Sequence, residues 1–445
     1  MRRALPIAIA MFLAGIGSYA LSRLDRPSPP PSEVFAPTTE VSAPSTEVDE
    51  LTRLDGHIAF YRARAEAQPG NWLDWENVAN AYSDRARITG DYNDWQRAGD
   101  ALETAFVAGN GLGPRLTRAS FNFMMHRLDR VDPDLDAAER ALVVSPSDRD
   151  AIIALRADVR YYSGRYDEAR AFYERLIGMT RRSVDSLVMA AQLEWHTGHF
   201  EEAARLMDEA LASPEISSAQ SAPMRGWVLM TRAMMERDRG QLDDALRAIE
   251  AAHALVPDDP NFDEVAAEIH EARGEDDDAL RGFRAVAART TSPQSLDGIA
   301  RVLSHRGDAI SARELVGLAR QSYDAQIALF PEAAYGHAID HWLRLEPSDV
   351  DRMIEIAEGN AEARPYGETQ VKLAMAYLLA GRVTDARRVI DAVLATEWQT
   401  ADLHGVNAIV LEREGHDASS ERAAAEAIAR GAMDRLAWLE PAAAQ

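Results

Sequence analysis

The chain has 445 residues, 47% of them hydrophobic, with 72 acidic against 48 basic side chains and a formal net charge of −24. That balance excludes the broad basic surface that neutralises phosphates on nucleic acid, and it opposes adhesion to anionic lipid head groups. There is no cysteine, so disulfides, thiolate metal ligands and cysteine nucleophiles are excluded together.

Taken from the start, Arg2 and Arg3 precede residues 4–22, nineteen positions without a charge, and Arg23, Asp25 and Arg26 follow. At about 1.5 Å of rise per residue such a helix just spans a bilayer core. Two readings stand open. Residues 1–26 form an uncleaved signal anchor, or a signal peptide cut near Ser18, Tyr19 and Ala20. The first gives a single-pass inner-membrane protein with its repeat domain facing the periplasm, the second an exported chain. The arginine and alanine bias suggests a GC-rich bacterial genome. Residues 27–47 hold Pro27, Pro29, Pro30, Pro31, Pro37 and Pro44 among serines and threonines, which reads as a partly stiff linker. Beyond residue 26 the net charge is about −27.

In 48–149 the pattern predicts a helix from about Val48 to Ala67, then a helix pair over Asn71–Ile88 and Tyr92–Val107. A further unit starts near Pro114, turns near Asp129 without a glycine, and is closed by Pro146. From residue 150 a regular beat sets in. Gly164, Gly198, Gly240, Gly274, Gly307, Gly381 and Gly415 stand 34, 42, 34, 33, 74 and 34 residues apart, each with an alanine seven residues earlier. Six of the seven have a second alanine five residues later; only Ser420 breaks that series. A fixed period of this size marks one supersecondary unit stacked many times. Each unit reads as two short antiparallel helices, with the glycine just past the first helix where a left-handed backbone suits it. Acidic residues open the second helix, as in Asp167 and Glu168 or Asp243 and Asp244, at the end where the helix dipole favours negative charge. Alanines fit where two helix axes approach to about 8–10 Å. The blocks are 150–322 (repeats), 323–366 (an atypical hairpin, roughly Glu332–Leu345 and Ser348–Ala363, inside the 74-residue step) and 367–445 (repeats and a cap).

The small residue of the first helix, the glycine and aromatic turn of GRYDEA, the alanine of the second helix and Pro257 together resemble the tetratricopeptide repeat family. The resemblance covers most of 150–435. It implies an all-α, right-handed superhelical solenoid of about ten hairpins. It also implies that the first helices line a groove for a protein or peptide partner. On this basis Tyr161, Tyr162, Gln192, Trp195, Trp227, Met230, Met234 and Arg301 are the candidate partner-binding residues, with Asn261, Glu264 and Glu268 on the same inward side. Trp and Met suit adaptable burial of apolar side chains. The positions where some relatives hold a terminal carboxylate are Ala154, Asp158, Val188 and Gln192, and none is lysine.

Catalytic signatures are missing. GNGLG at 109–113 follows a helical hairpin rather than a strand and reads as a connector. Lys372, the single lysine, sits in no phosphate loop, and neither a zinc-protease helix nor a nucleophile elbow is present. The candidate chemistry lies in PEAAYGHAIDHWL, where His337 and His341 share a helix face beside Asp340. Glu194, His196 and His199 form a looser group about a turn. The leading expectation is therefore a membrane-tethered, envelope-facing scaffold or assembly factor without catalysis, cofactor or nucleic acid. The alternative is a metal-binding or hydrolytic protein using His337, Asp340 and His341.

Overall fold

The computed structural model describes residues 46–141, 144–178, 183–218, 221–257 and 259–439. Among them all regular structure is helical. The segment 4–22 and the linker up to residue 45 lie outside the described residues. Among those described, no helix is long and apolar enough to cross a membrane.

Helix α1 (Thr46–Ala67) packs on the first of ten antiparallel hairpins. These are α2 (Trp72–Thr89) with α3 (Tyr92–Ala108), α4 (Arg115–Met124) with α5 (Val131–Glu139), α6 (Pro146–Tyr162) with α7 (Tyr166–Ile177), α8 (Val184–His196) with α9 (Phe200–Ala212), and α10 (Ala222–Asp238) with α11 (Leu242–Leu255). They continue with α12 (Pro260–Ala272) and α13 (Asp276–Ala287), α14 (Pro293–His305) and α15 (Ala309–Leu329), α16 (Pro331–Arg344) and α17 (Val350–Ala363), α18 (Gly367–Leu379) and α19 (Val383–Leu394), and α20 (Ala401–Arg413) and α21 (Ser419–Ile428). A short α22 (Ala432–Leu436) closes the stack against α20. One apolar cluster runs from Ile58 to Leu439, as nearest-neighbour stacking of repeats requires.

Local chemistry explains the boundaries. Pro146, expected to close a unit, instead opens α6. Its missing N–H falls where a helix has no acceptor to offer, and Ser145 and Asp148 form a reciprocal cap around it (3.0 and 3.3 Å). Pro260, Pro293 and Pro331 open their helices in the same way. The 42-residue step accommodates a 3-10 turn, Pro214–Ile216, whose Ile216 is buried. The 74-residue step is taken up by the 21-residue α15 followed by the predicted hairpin.

All seven metronome glycines have positive φ, between 71° and 84°, and all thirteen alanines around them are buried. The glycines then divide into two sets. A Cβ at Gly164 would lie 2.8 Å from the Pro365 carbonyl oxygen, at Gly198 3.2 Å from Gln399, and at Gly240 2.6 Å from the Arg430 carbonyl oxygen. Gly90, another left-handed turn glycine, meets Thr291 in the same way at 3.3 Å. At Gly274, Gly307, Gly381 and Gly415 a Cβ would meet nothing within 4 Å. The turns of the early repeats are thus covered by later repeats, and those of the later repeats face open space.

Hydrogen bonds follow the same rule. Thr291 N donates to Thr89 O (3.0 Å), Gly367 N to the Tyr166 hydroxyl (2.8 Å), Gln399 N to His196 O (2.7 Å) and Arg435 to Asp238 O (3.2 Å). His126 Nδ1 contacts Glu332 O at 2.9 Å. The partners are 197 to 206 residues apart, which is six hairpins. One superhelical turn takes six hairpins, and the second turn rests on the first along a continuous seam.

The two glycine sets give a contrast to measure. Gly274→Ala should cost only the left-handed penalty of about 1–2 kcal/mol, with no change in solution dimensions. Gly164→Ala should cost more, because its methyl group meets the Pro365 carbonyl, and should expand the particle. Urea unfolding with small-angle scattering checks both; equal costs with unchanged dimensions would mean that the seam does not press on the Gly164 turn.

Candidate functional site

Along the seam the apolar groups are aromatic. Tyr161 and Tyr162, at the end of α6, pack against Tyr366, just before α18, with ring centroids 5.8 and 5.2 Å apart. His196 stacks flat on Trp398 at 4.6 Å and 6°, and its Nδ1 is hydrogen-bonded to the Tyr161 hydroxyl at 2.7 Å. Tyr166 closes the group, 5.7 Å from Trp398. At the rim Arg170 binds Glu194 (2.9 Å) on its own turn and Glu397 (2.6 Å) on the next. Trp398 and Tyr366 are fully buried.

This geometry places the eight predicted groove residues. Tyr161 and Tyr162 are buried because the second turn covers them. Trp195 is buried against Phe200, with the Arg239 guanidinium 5.7 Å from its ring. Gln192, Trp227, Met230 and Met234 are buried as well. Only Arg301 reaches an accessible wall, where it grips Glu271 through two 2.7 Å hydrogen bonds.

The accessible wall is the inside of the superhelix, built from α10, α12, α14, α16, α18 and α20. Arg237 pairs with Glu268, Arg301 with Glu271, and Lys372 with Asp340 (2.9 Å) and Glu368 (3.3 Å). Burial works against the Lys372 ammonium, yet Asp340 and Glu368 hold its pKa above the ordinary lysine value. Arg344 has no ion-pair partner among the described residues. Its side chain is exposed, but partial desolvation by the surrounding wall and then the neighbouring Arg301 charge push its pKa down. Asp402 on α20 is pushed up by burial and sits in the field of Asp238, Lys372, Glu368 and Arg435, so charges from both turns share one interior.

The segment 337–341 does not build a metal centre. His341 is buried with both ring nitrogens engaged, Nδ1 by Asp297 (2.7 Å) and Nε2 by Glu346 (3.0 Å). The Tyr323 hydroxyl donates to the other Asp297 oxygen at 2.9 Å. Asp340 points to Lys372, and His337 lies on a separate cavity, so the three side chains do not converge. The looser group also separates: Glu194 holds His199 (2.6 Å) and Arg170, while His196 belongs to the seam. Among the described residues His270, Glu275 and Asp278 do approach one another, but Glu275 is already held by His270 (2.7 Å) and Arg273 (2.8 Å).

The cavity beside His337 lies between the two turns, has a volume of about 60 Å³, and is walled by Tyr92, Trp95, His126, Asn261, Glu264 and His337 among others. Glu264 is only 6% exposed, and its Oε1 has no hydrogen-bond partner among the described residues. Burial, then Glu268, raises its pKa to about 8. His337 is pushed down to about 3 by burial and then by Arg364, whose guanidinium is fully buried and hydrogen-bonds Asn360 at 2.9 Å. The seam groups Tyr366, Trp398, His126 and Arg364 escaped sequence reasoning. A usable signal was present in Gly336 and Gly367, helix glycines whose Cβ would overlap Arg364 and Trp398.

Glu264 fixes a pH dependence. An acid whose pKa is raised on folding is ionised in the unfolded chain first, so stability is lost between about pH 4.5 and pH 8 and levels off above. Glu264→Gln removes that loss: it should be near neutral at pH 5 and stabilising by about 2 kcal/mol or more at pH 9. His341 titrates in the opposite sense. Burial opposes its charge, but Asp297 and Glu346 raise its pKa, so its contribution is full below pH 6.5 and lost as pH rises through the folded value. His341→Ala should cost about 3 kcal/mol at pH 6 and less at pH 9. Chemical denaturation at the two pH values checks both; a pH-independent effect of either substitution contradicts these assignments.

The family model described as Tetratricopeptide repeat matches residues 155–220 and 230–294. No curated protein sequence matches the chain. Among solved structures, the APC/C hetero-tetramer Cut9–Hcn1 is similar at 12% identity and a TM-score of 0.40, covering 88% of this chain and 83% of that one. NprR in complex with its cognate peptide NprX shows 14% identity and a TM-score of 0.43, covering 69% and 98%. Yeast Tom70 shows 13% and 0.35, covering 82% and 93%. Residues 155–220 and 230–294 carry tetratricopeptide repeats, and the described residues form an all-α solenoid of ten helical hairpins.

Proposed function

We propose that the chain is an interaction scaffold, tethered to a membrane through residues 4–22 and presenting its repeats on the envelope side, without chemistry of its own. The observation that carries this reading is the inner wall. Side chains from six first helices converge there, and Arg344 is charged, exposed and unpaired among the described residues. A partner segment entering the superhelix would meet Arg344, Arg301, Lys372, Asp340 and Glu268 before any apolar group. The acidic balance of the chain supports a protein or peptide partner over nucleic acid or anionic lipid. Of the candidate partner-binding residues, Arg301 stands on this wall, and Tyr161, Tyr162, Gln192, Trp195, Trp227, Met230 and Met234, buried in the array, would support it from behind. The proline-rich linker would set the array off from the bilayer. The partners of His341 and Asp340, which are Asp297, Glu346 and Lys372, favour this reading over a metal-binding or hydrolytic one at His337, Asp340 and His341.

Photo-crosslinkers at Arg301 and Lys372 should capture one common protein in cells, and the Arg344→Glu substitution should reduce that capture at least several-fold. A crosslinker at Arg247, exposed on α11, should not capture it. Capture from Arg247 but not from the inner wall would overturn the groove assignment. A reporter fused after residue 445 and active only on the cytoplasmic side would overturn the envelope-facing topology.

A further inference from the structure

Arg364, the first residue past α17, is the one arginine or lysine among the described residues that lies in the buried core, and it is 0% exposed. Its Nη2 donates to Asn360 Oδ1 at 2.9 Å, and Asn360 is itself buried. Nε and Nη1 are buried and meet no acceptor among the described residues, and no carboxylate there pairs with the guanidinium. Glu368, which feels the Arg364 charge, is held by the Tyr366 hydroxyl (2.8 Å) and by Lys372 (3.3 Å). The position is shaped for this side chain. A Cβ at Gly336 on α16 would overlap Nη2, so glycine there is what lets the guanidinium lie against the helix.

An arginine cannot relieve burial by losing its proton, as an acid or a histidine can. A charge taken out of water without an opposite charge costs far more than one hydrogen bond returns. The Tyr366 ring, 5.8 Å from the guanidinium carbon, offsets only a part. Apart from Glu368, the groups on which the Arg364 charge acts are the neutral rings of Tyr92, His126, Tyr161 and Tyr162 on the first turn and of His337 and Tyr366 on the second. None of them supplies a counter-ion. Open space lies beside the guanidinium. The inter-turn cavity is walled by Ala333 and His337, on either side of Gly336 in α16, with Tyr92 and His126 across the seam. Arg87 adds a second guanidinium to that wall, while Glu264, also in it, takes its field from Glu268, Arg301 and Asp297.

We infer that Arg364 is the centre of an anion site in the seam, where a small monovalent anion such as chloride lies against Nε and Nη1 at the His126–His337 end of the inter-turn cavity. This goes beyond the scaffold reading and does not rest on it. The ion supplies the acceptor that the buried N–H groups lack, and it cancels the charge that the fold has taken out of water. No proton moves, because the guanidinium stays charged throughout. The walls come from both superhelical turns, so the closed form binds the anion and separation of the turns releases it.

The test uses the full chain. Urea unfolding is followed in mixtures of sodium chloride and sodium gluconate at one ionic strength, and crystals grown in sodium bromide are read for anomalous scattering. Above half-saturation, each tenfold rise in chloride should lower the unfolding constant about tenfold, the slope for one ion per chain. Gluconate, too large for a buried site, should leave it unchanged. Bromide should give an anomalous peak in contact with Nε or Nη1 of Arg364. Arg364→Met should lose both the chloride dependence and the peak, and Arg344→Gln, on the inner wall, should keep both. The bromide map of the unaltered chain decides the outcome even where Arg364→Met does not fold. An unfolding constant equal in chloride and gluconate, a chloride dependence that survives Arg364→Met, or water in place of bromide at Nε and Nη1 would each overturn the inference.

Discussion

The seam between the first and second superhelical turns is the contact on which the rest of the molecule depends. A repeat stack held only by nearest neighbours is a spring whose pitch each interface sets separately. Here repeats six places apart are joined by backbone hydrogen bonds, by the His196–Trp398 stack and by the Arg170–Glu397 pair. Fully burying one large apolar side chain contributes about 1.5–3 kcal/mol. An interface using Tyr161, Tyr162, Tyr166, Tyr366 and Trp398 therefore rivals the contacts within a hairpin. It couples the beginning of the array to its end, and it encloses both the inner wall and the inter-turn cavity.

The turn glycines serve two purposes, of which one is visible locally. Each supplies the left-handed residue that ends a first helix. Gly90, Gly164, Gly198 and Gly240 also let later segments approach closely, at registers about 200 residues on, by backbone at Gly164 and Gly240 and by side chain at Gly90 and Gly198. The later glycines have only the first purpose. The same residue type at the same repeat position thus carries different constraints, decided by which superhelical turn it occupies.

This division explains what the sequence disclosed. The hairpins were legible because their determinants lie within one period: Gly164 and Ala169, or Pro331 and the helix it opens. The pair hidden in the 74-residue step was legible for the same reason. The role of Pro146 was misjudged because a proline after a helix and one at the first position of the next look alike until the Ser145 cap is considered. The groove was legible only in part. Arg301 stands on the accessible wall, but Tyr161 and Tyr162 are covered by Tyr366, a contact across six repeats that no local pattern encodes. His337 and His341 share a helix as their spacing predicts, yet α14 supplies Asp297 and claims His341 alone.

The closed two-turn superhelix is the central claim, and the absence of native cysteine permits a clean test of it. Cysteines introduced at Thr89 and Thr291, joined in the structure by a 3.0 Å backbone hydrogen bond, can be treated with a short bifunctional maleimide at high dilution. Rapid, nearly complete intramolecular crosslinking, unchanged by further dilution and abolished by urea, is the predicted result. An uncrosslinked monomer, or crosslinks only between molecules, would show that the turns do not meet and would contradict the account.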